Sequence, residues 1–189
     1  CVERKIPYFS FWVLSTENWH RRKSRGDTYF KLLRQLFTKN FQKLHQKNIK
    51  LNLIGDVTKL PSDIQNLFND WLEKTSRNKK LTLIIAINYG GRDELVRAIN
   101  RHLRGERSSH LGGEITESDL ADYLDTVGLP DPDLLIRTAP NNHRLSGFML
   151  WQIAYTQLYF CETLFPDFDG TELDKAIAWW QQQTVNLGK

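Results

Sequence analysis

An almost continuous apolar run at residues 81–87 is the feature that most constrains the fold of this chain. Because the run leaves no polar face along its length, a strand formed from it must be buried on both sides, as strands at the centre of a parallel sheet are. The run ends in residues 88–91 (NYGG), and a helix is predicted to begin near Asp93. A buried strand that leads directly into a helix predicts an α/β fold.

Strands and helices alternate along the rest of the chain. Apolar runs predict further strands at residues 8–14, 51–54 and 134–138, and helical periodicity predicts helices at 27–47, 61–77, from 93 onwards, at 117–127 and at 172–185. The polar segments 15–26 and 104–113 are predicted to be loops. This order predicts a mostly parallel central sheet that is flanked by helices on both faces.

The helix predicted at 27–47 carries an aromatic face. Its apolar side chains recur every three or four residues and therefore share one side of the helix. They are Phe30, Leu33, Phe37, Phe41 and Leu44. Such a face usually belongs to a hydrophobic core, and it would wall an apolar tunnel if the ligand were a long hydrocarbon.

Composition narrows the class of protein. A chain of 189 residues, 40% hydrophobic and 25% charged, predicts one globular domain over 1–189. Two cysteines cannot form a disulfide framework, so a reducing, cytoplasmic location is expected. The longest apolar run is too short to cross a bilayer. A net charge of +4 fits a phosphorylated ligand, while the spread of basic residues along the chain disfavours a nucleic-acid-binding module.

Polar segments follow the predicted strands at four places: residues 15–21, 55–56, 88–92 and 137–146. The carboxyl ends of parallel strands meet at one edge of a sheet, which is where ligands bind in such folds. The sequence therefore predicts that hydroxyl, amide and arginine side chains converge at this edge. Glycines 90 and 91 allow a close backbone approach before a helix, either to bind a phosphate on exposed amides or simply to form a packing turn.

Arg137, Arg144 and Ser146 form the most suggestive group. Two guanidinium forks and a hydroxyl at the end of a strand suit a diphosphate, because planar donors satisfy phosphate oxygens in pairs. The alternative is that both arginines are structural ion-pair partners. His143, which lies in the same loop, is expected to be exposed, and the five histidines of the chain show no metal-ligand spacing.

Ser15, Asn18, Trp19 and Arg21 follow the first predicted strand. A hydroxyl, an amide and an arginine at this position suit the closing of a segment over a bound anion, with the indole helping to exclude water. The alternative is a plain strand-to-helix loop with a buried tryptophan.

Six motifs occur in order over essentially the whole chain: FWVLSTENWHR at 11–21, IGD at 54–56, NYGGRDE at 88–94, DPDLLIRT at 131–138, RLS with FMLWQIAYTQLYF at 144–160, and FPDF at 165–168. Together they resemble the cis-prenyltransferases, the family of bacterial undecaprenyl diphosphate synthase. The resemblance implies a non-Rossmann α/β fold, a homodimer and a magnesium-dependent enzyme. It implies that isopentenyl diphosphate is added repeatedly to an allylic diphosphate of the farnesyl type, with each new double bond cis.

The same resemblance implies roles for single residues. Arg137, Arg144 and Ser146 match the residues that hold the diphosphate group of isopentenyl diphosphate. The helix at 27–47 would line the product tunnel, so that its side-chain bulk would limit product length. Release of such a product implies peripheral contact with a membrane.

The segment after the first strand matches one that orders when substrate binds. Ser15, Asn18, Trp19 and Arg21 fall on it, with Asn18 implicated in proton removal and Trp19 in substrate contact. These roles are carried by the resemblance alone.

Three departures from the family pattern bear on activity. The first strand and phosphate loop, with the metal-binding aspartate, are expected upstream of Cys1, so that the numbered chain is incomplete at its N-terminus. Gln157 stands where a glutamate near magnesium is expected, which leaves the metal ligands unknown. The stretch 139–142 (APNN) replaces a Gly-Gly-Glu type loop and is one residue longer. A weakened or inactive member that acts as a binding or scaffold subunit, and a short-chain prenyl diphosphate synthase, are therefore the alternatives.

Overall fold

The computed structural model describes residues 1–22, 26–106 and 114–183, and for residues 20–22 and 26–29 it describes the backbone alone. The chain divides into two compact units, Cys1–Val127 and Gly128–Lys189. In the first unit the elements are β1 (Tyr8–Ser15), α1 (Thr16–Arg22), α2 (Gly26–Gln46), β2 (Ile49–Ile54), α3 (Ser62–Thr75), β3 (Leu81–Tyr89), α4 (Gly91–Leu103) and α5 (Glu117–Tyr123). In the second they are β4 (Leu134–Thr138), β5 (Gln157–Cys161) and α6 (Gly170–Gln181).

The sheet of the first unit has the order β1-β3-β2, and both of its pairings are parallel. The apolar strand β3 therefore lies at the centre, as its sequence predicts, and its last six residues are all buried. The edge strand β1 begins with two exposed residues and becomes buried only towards Ser15. All three strands run in one direction, so their carboxyl ends lie at the same edge of this sheet.

Helices α2 and α3 supply the core beside this sheet. Leu33, Phe37 and Phe41 are buried on the aromatic face of α2, and Ile64 and Phe68 are buried on α3. The rings of Phe37 and Phe68 lie 4.9 Å apart between centroids, and those of Phe41 and Phe68 lie 5.8 Å apart. Each buried phenylalanine contributes about 1.5–3 kcal/mol to folding. The predicted core face of the helix at 27–47 is thus confirmed.

The second unit contains a parallel pair of strands, β4 and β5, in the register Leu134 to Gln157 through Thr138 to Cys161. The backbone extends the pairing at both ends. The Gln157 N–H donates to the Asp133 carbonyl at 3.1 Å, and the Ala139 N–H donates to the Cys161 carbonyl at 3.0 Å. Helix α6 follows β5 and is capped by Asp169, whose carboxylate accepts the N–H groups of Thr171 and Glu172.

The structure corrects four sequence predictions. Residues 16–22 of the predicted loop form helix α1, because the Ser15 hydroxyl accepts the N–H of Asn18 at 3.1 Å and so caps a helical turn. Strand β5 was not predicted, because its five residues continue an apolar run with no boundary signal. Helix α5 ends at Tyr123 rather than 127, since the backbone of Leu124 is extended. Helix α6 begins at Gly170, next to its cap.

The predicted fold class is confirmed: the strand pairs are parallel throughout the described residues, and helices pack beside the sheets. The prediction of a single domain over 1–189 stays a prediction. Of the loop predicted at 104–113, residues 107–113 lie outside the described residues. No helix in the described ranges is both long and apolar enough to cross a membrane.

Candidate functional site

The exits of β2 and β3 are joined to each other by hydrogen bonds. The Asp56 N–H donates to the Asn88 carbonyl at 3.2 Å, and the Asn88 side-chain amide donates to the Asp56 carbonyl at 2.9 Å. Asn88 is buried and has a φ of 45°, a left-handed conformation that asparagine tolerates better than most residues. The amide of NYGG therefore fixes a turn by contacting the IGD segment and is not aimed at open solvent.

Gly55 is required where β2 ends. Its φ is +112°, and a Cβ at this position would lie 2.1 Å from the Ile87 carbonyl oxygen. A larger residue would therefore push the two strand exits apart. The glycine of the IGD segment thus serves the close approach of two backbones, which the sequence alone did not reveal.

The exit of β1 meets the same edge. Ser15 is in register with Tyr89, and the Trp12 indole N–H donates to the Tyr89 carbonyl at 3.2 Å. A Cβ on Gly90 would lie 2.6 Å from the Thr16 hydroxyl oxygen. The segments after β1, β2 and β3 therefore converge, as predicted, within the first unit.

Helix α1 carries the next three residues of the predicted site. Ser15 is buried and caps the helix, and the side chain of Asn18 is half-buried. The Trp19 ring packs edge-on against Phe30 of α2, with 5.5 Å between the ring centroids. The indole therefore packs on the aromatic face of α2. This contact agrees with the alternative in which Trp19 has a packing role rather than only a role in contacting a ligand. The side chain of Arg21 lies outside what the structure describes.

The start of α4 is held by a fully buried carboxylate. Glu94 accepts the Tyr89 hydroxyl at 2.6 Å and the Asp125 N–H at 3.0 Å. Gly90 and Gly91 begin the helix, so that its first backbone N–H groups lie beside the exits of β1 and β3. Both glycines are buried, and the partial positive charge of a helix start favours an anion.

A second buried carboxylate, Asp125, was missed by the sequence analysis. Both oxygens of Asp125 accept the Arg97 guanidinium at 2.7 Å, and Arg101 donates to one of them at 3.0 and 3.1 Å. Burial raises the pKa of Asp125, but the Arg97 guanidinium, the Gly55 N–H and the charge of Arg101 together bring the pKa below its usual value. No local pattern marks this residue, because its partners come from α4 and from the turn after β2.

In the second unit, Arg137 lies near the end of β4 and is half-buried. Its guanidinium Nε is buried and has no hydrogen-bond partner among the described residues. Within the same part of the chain no carboxylate forms an ion pair with it. A buried donor without an acceptor is costly in a folded protein, which favours an anion at this position.

The loop after Arg137 folds back over β5. The His143 ring packs edge-on against Phe160 at 5.1 Å between centroids, and Phe160 is the register partner of Arg137. His143 is exposed, as expected, and so are Arg144 and Ser146. Five residues of the loop and the turn after it have a positive φ: Ala139, Asn141, Ser146, Gly147 and Met149.

The predicted site is therefore assembled in part. The segments at 15–19, 55–56 and 88–91 lie together in the first unit. Arg137, Arg144 and Ser146 belong to one loop of the second unit. Their convergence with Asn18 and Gly90 stays a prediction.

The magnesium prediction has no ligand set among the described residues. No group of three or more His, Cys, Asp or Glu side chains in ranges 1–22, 26–106 and 114–183 is arranged to hold a metal ion. Asp56, the carboxylate nearest the strand exits in sequence, accepts from Thr58 and pairs with Lys59 at 3.0 Å. The described residues therefore contain no such group that would hold the ion by itself.

Known proteins resemble this chain over its whole length. A protein-family model described as "Putative undecaprenyl diphosphate synthase" matches residues 1–188. The isoprenyl transferase of Chlamydia trachomatis serovar D is 42% identical over 185 residues, which are 97% of this chain and 73% of that protein. That of Clostridium tetani is 38% identical over 189 residues, or 100% of this chain and 74% of that protein.

Two solved structures are similar in fold. A probable undecaprenyl diphosphate synthase from Campylobacter jejuni superposes with a TM-score of 0.86 at 35% identity, over 100% of this chain and 86% of that one. The lavandulyl diphosphate synthase from Lavandula x intermedia, solved in complex with dimethylallyl diphosphate, gives a TM-score of 0.90 at 30% identity. The match covers 100% of this chain and 81% of that one.

Proposed function

Because the chain belongs to the undecaprenyl diphosphate synthase family of prenyltransferases, we propose that it condenses isopentenyl diphosphate with an allylic prenyl diphosphate of the farnesyl type. The product is a cis-polyprenyl diphosphate, such as the precursor of an undecaprenyl lipid carrier. The observation that carries this proposal is Arg137, whose buried Nε has no acceptor among the described residues and therefore suits a ligand anion.

The diphosphate of isopentenyl diphosphate is bound, in this proposal, by Arg137, Arg144 and Ser146. The half-buried Arg137 supplies charge in a partly desolvated place, where a charge-assisted hydrogen bond is strongest. The exposed Arg144 and the Ser146 hydroxyl are able to close on the same group from the loop. Two forks and a hydroxyl hold the substrate in one orientation, which is most of what this reaction needs from its binding site.

In the reaction the allylic C–O bond breaks and diphosphate leaves. The isopentenyl double bond attacks the allylic carbon, and the proton lost from the adduct restores a double bond. Cationic groups and backbone N–H groups stabilise the departing anion without rearranging. In the first unit the N–H groups at Gly90 and Gly91 suit this purpose, because they begin a helix of 13 residues.

Helix α1 is the proposed closing segment. Asn18 assists proton removal, Trp19 contacts substrate, and Ser15 and Arg21 support them. The Ser15 cap connects α1 to β1, and the Trp19–Phe30 contact connects α1 to α2. Movement of α1 is therefore coupled to the aromatic face of α2. Closing the segment over the substrates excludes water from the reactive cation.

The growing hydrocarbon is proposed to run along α2. A narrow apolar crevice lies between α2, α3, β2 and β3, lined by Phe41, Leu44, Ile49, Leu51, Trp71, Thr75 and Leu83. The crevice has no room for a water molecule, so a prenyl chain that enters it must displace these side chains. Their bulk is therefore expected to limit product length.

Magnesium, a homodimer, peripheral membrane contact during product release and a cytoplasmic location are further parts of the proposal. They are supported by the resemblance to the family. The reaction steps above use only groups of the chain itself, since the described residues contain no group of three or more His, Cys, Asp or Glu side chains arranged to hold a metal ion. Removal of divalent ions with EDTA, followed by stepwise return of magnesium, tests the proposed requirement directly.

The test of function is turnover. The full-length protein is incubated with farnesyl diphosphate, labelled isopentenyl diphosphate and magnesium, and the extracted lipid is separated by chain length and analysed by mass. We expect a series of products that differ by one isoprene unit. Arg77→Ala, which removes an exposed arginine after α3, is the matched control for Arg137→Ala and is expected to leave activity unchanged. A wild-type protein that binds both diphosphates but makes no product would instead indicate a binding subunit.

A further inference from the structure

The turn after β2 is fixed from two sides. Gly55 lies against the Ile87 carbonyl so closely that it has no room for a Cβ. On its other side the Gly55 N–H donates to the Asp125 carboxylate at 2.8 Å. The position of this turn therefore follows the position of Asp125.

Asp125 is itself held in one orientation. The Arg97 fork contacts both carboxylate oxygens, and Arg101 adds two hydrogen bonds to one of them and a third to the Tyr123 carbonyl at 2.8 Å. The side chain of Asp125 is 7% exposed, against 18% for Arg97 and 28% for Arg101. A planar fork on a buried carboxylate allows little rotation, because any rotation breaks both hydrogen bonds.

Asp125, Arg97 and Arg101 form an ion cluster, and the two arginines lie on α4. Glu94 belongs to the same helix and accepts the backbone N–H of Asp125 at 3.0 Å. Glu94 also accepts the Tyr89 hydroxyl, directly before the helix start at Gly90. The cluster therefore connects the turn after β2 to the helix whose first N–H groups follow β3.

We propose that Asp125 is a positioning residue that, through Arg97 and Arg101, sets the distance between the Gly55 turn and the start of α4. The inference rests on the proposed function, in that diphosphate binding in the first unit depends on backbone N–H groups at this start. Asp125 is not itself a catalytic residue, because its oxygens are occupied by protein donors. The start of α4 also adjoins α1, because a Cβ on Gly90 would lie 2.6 Å from the Thr16 hydroxyl oxygen.

The experiment replaces the charge without changing the shape. Asp125→Asn keeps one oxygen that accepts from Gly55 but cannot neutralise two guanidinium groups. Asp70→Asn is the matched control, since it makes the same change in an exposed pair with Lys74. Ile64→Ala, a fully buried position of α3, controls for lost stability alone. Arg101→Gln is the second test variant and removes only the outer guanidinium.

Two readouts are taken at a temperature at which every variant is folded. The amide signals of Gly55, Gly90 and Gly91 are followed in ¹H–¹⁵N spectra, and kcat and KM are measured for farnesyl diphosphate, whose diphosphate is the one proposed to bind in the first unit. For Asp125→Asn we expect all three glycine signals to move and kcat/KM to fall about tenfold, mainly through KM. Arg101→Gln is expected to do the same to a smaller extent, and both controls are expected to do neither.

Unmoved Gly90 and Gly91 signals in Asp125→Asn would overturn the proposal, and so would a kcat/KM equal to that of Ile64→Ala. If Asp125→Asn does not fold, the same two readouts on Arg101→Gln decide the matter. A wild-type protein that makes no product would refute the proposed function instead. Positioning by Asp125 would then stand if the glycine signals move and fall if they do not.

Discussion

The strand exits of the first unit and the loop after β4 in the second unit present polar groups in two different states. In the first unit, the Gly55 N–H donates to Asp125, and Asn88 and Asp56 exchange hydrogen bonds, so these polar groups are occupied by protein partners. In the second, Arg137 has a buried Nε without an acceptor among the described residues, and Arg144 is exposed. The first set is satisfied within the protein, whereas Arg137 has a buried donor that we propose is satisfied by an anion.

This difference predicts that substitutions in the two regions affect different properties, namely folding stability in the first unit and ligand binding in the second. Substitutions at Gly55, Asn88 or Asp125 are expected to lower the free energy of unfolding, because each of these residues forms contacts that hold a neighbouring segment in place. Substitution of Arg137 itself is expected to leave stability nearly unchanged and to lower affinity for a diphosphate. The following variants test that separation.

The largest effect is expected from Arg137→Ala. Loss of a charge-assisted contact with the diphosphate should lower kcat/KM for isopentenyl diphosphate about 100-fold, which corresponds to about 2.7 kcal/mol. Tm should not fall, because the side chain forms no ion pair within the described residues. Arg137→Lys should recover only part of the loss, since a single ammonium cannot replace a fork. Full activity in Arg137→Ala would contradict the proposed role.

The next effect is the pH dependence of stability at Asp125. The pKa of this carboxyl is lowered in the folded protein, so the ionised group stabilises the fold above the unfolded-state pKa near 4 and loses this contribution as pH falls through the folded pKa. At pH 7, Asp125→Asn should lower the free energy of unfolding by about 2–3 kcal/mol.

Urea denaturation at pH 7, 5 and 3 measures this dependence. The difference between wild type and Asp125→Asn should persist at pH 5 and shrink at pH 3. Asp70→Asn, whose pair with Lys74 is about half exposed, should change stability by less than about 0.5 kcal/mol throughout. A difference at Asp125 that grows as the pH falls would show that the ionised carboxylate does not stabilise the fold.

A smaller effect is expected at the contact between Gly90 and Thr16. Gly90→Ala places a Cβ 2.6 Å from the Thr16 hydroxyl and should destabilise the protein by about 1–2 kcal/mol. Thr16→Ala removes that hydroxyl, so the double variant should regain most of the loss. A double-mutant cycle of Tm values checks this, and strictly additive effects would show that the two residues do not touch.

The smallest effect is expected at Ala139, whose φ of 131° is strained for any residue with a Cβ. Ala139→Gly removes that strain at the end of β4 and should raise the free energy of unfolding by about 1 kcal/mol. Ala154→Gly, in the same unit and without this constraint, should not stabilise the protein. A lower Tm for Ala139→Gly would show that the loop conformation carries no strain.

The sequence predicted the parts of the fold that depend on local pattern. The apolar run of β3 and the three-and-four spacing on α2 identified the central strand and the core helix, because burial alone determines them. Helix α1 was missed, since its start depends on one hydroxyl that accepts from Asn18. Strand β5 was missed because an apolar run without a boundary fits a strand and a buried helix equally well.

The candidate site was predicted less completely than the fold. The sequence placed Asn88 and Gly55 in polar segments that were expected to bind a ligand. In the structure each holds the turn of the neighbouring strand instead: the Asn88 side chain donates to Asp56, and Gly55 lies against the Ile87 carbonyl. Asp125 was not identified at all, because its partners lie on α4 and after β2 and leave no mark at short spacing. Arg137 was identified correctly as an arginine at a strand end, a position that local pattern does define.

Calorimetric titration of isopentenyl diphosphate into wild type, Arg137→Ala and the control Arg77→Ala is the most direct test of whether the loop after β4 is a diphosphate site. We predict that wild type and Arg77→Ala bind with the same affinity, and that Arg137→Ala binds at least tenfold more weakly with an unchanged Tm. Equal binding by all three proteins would contradict the account.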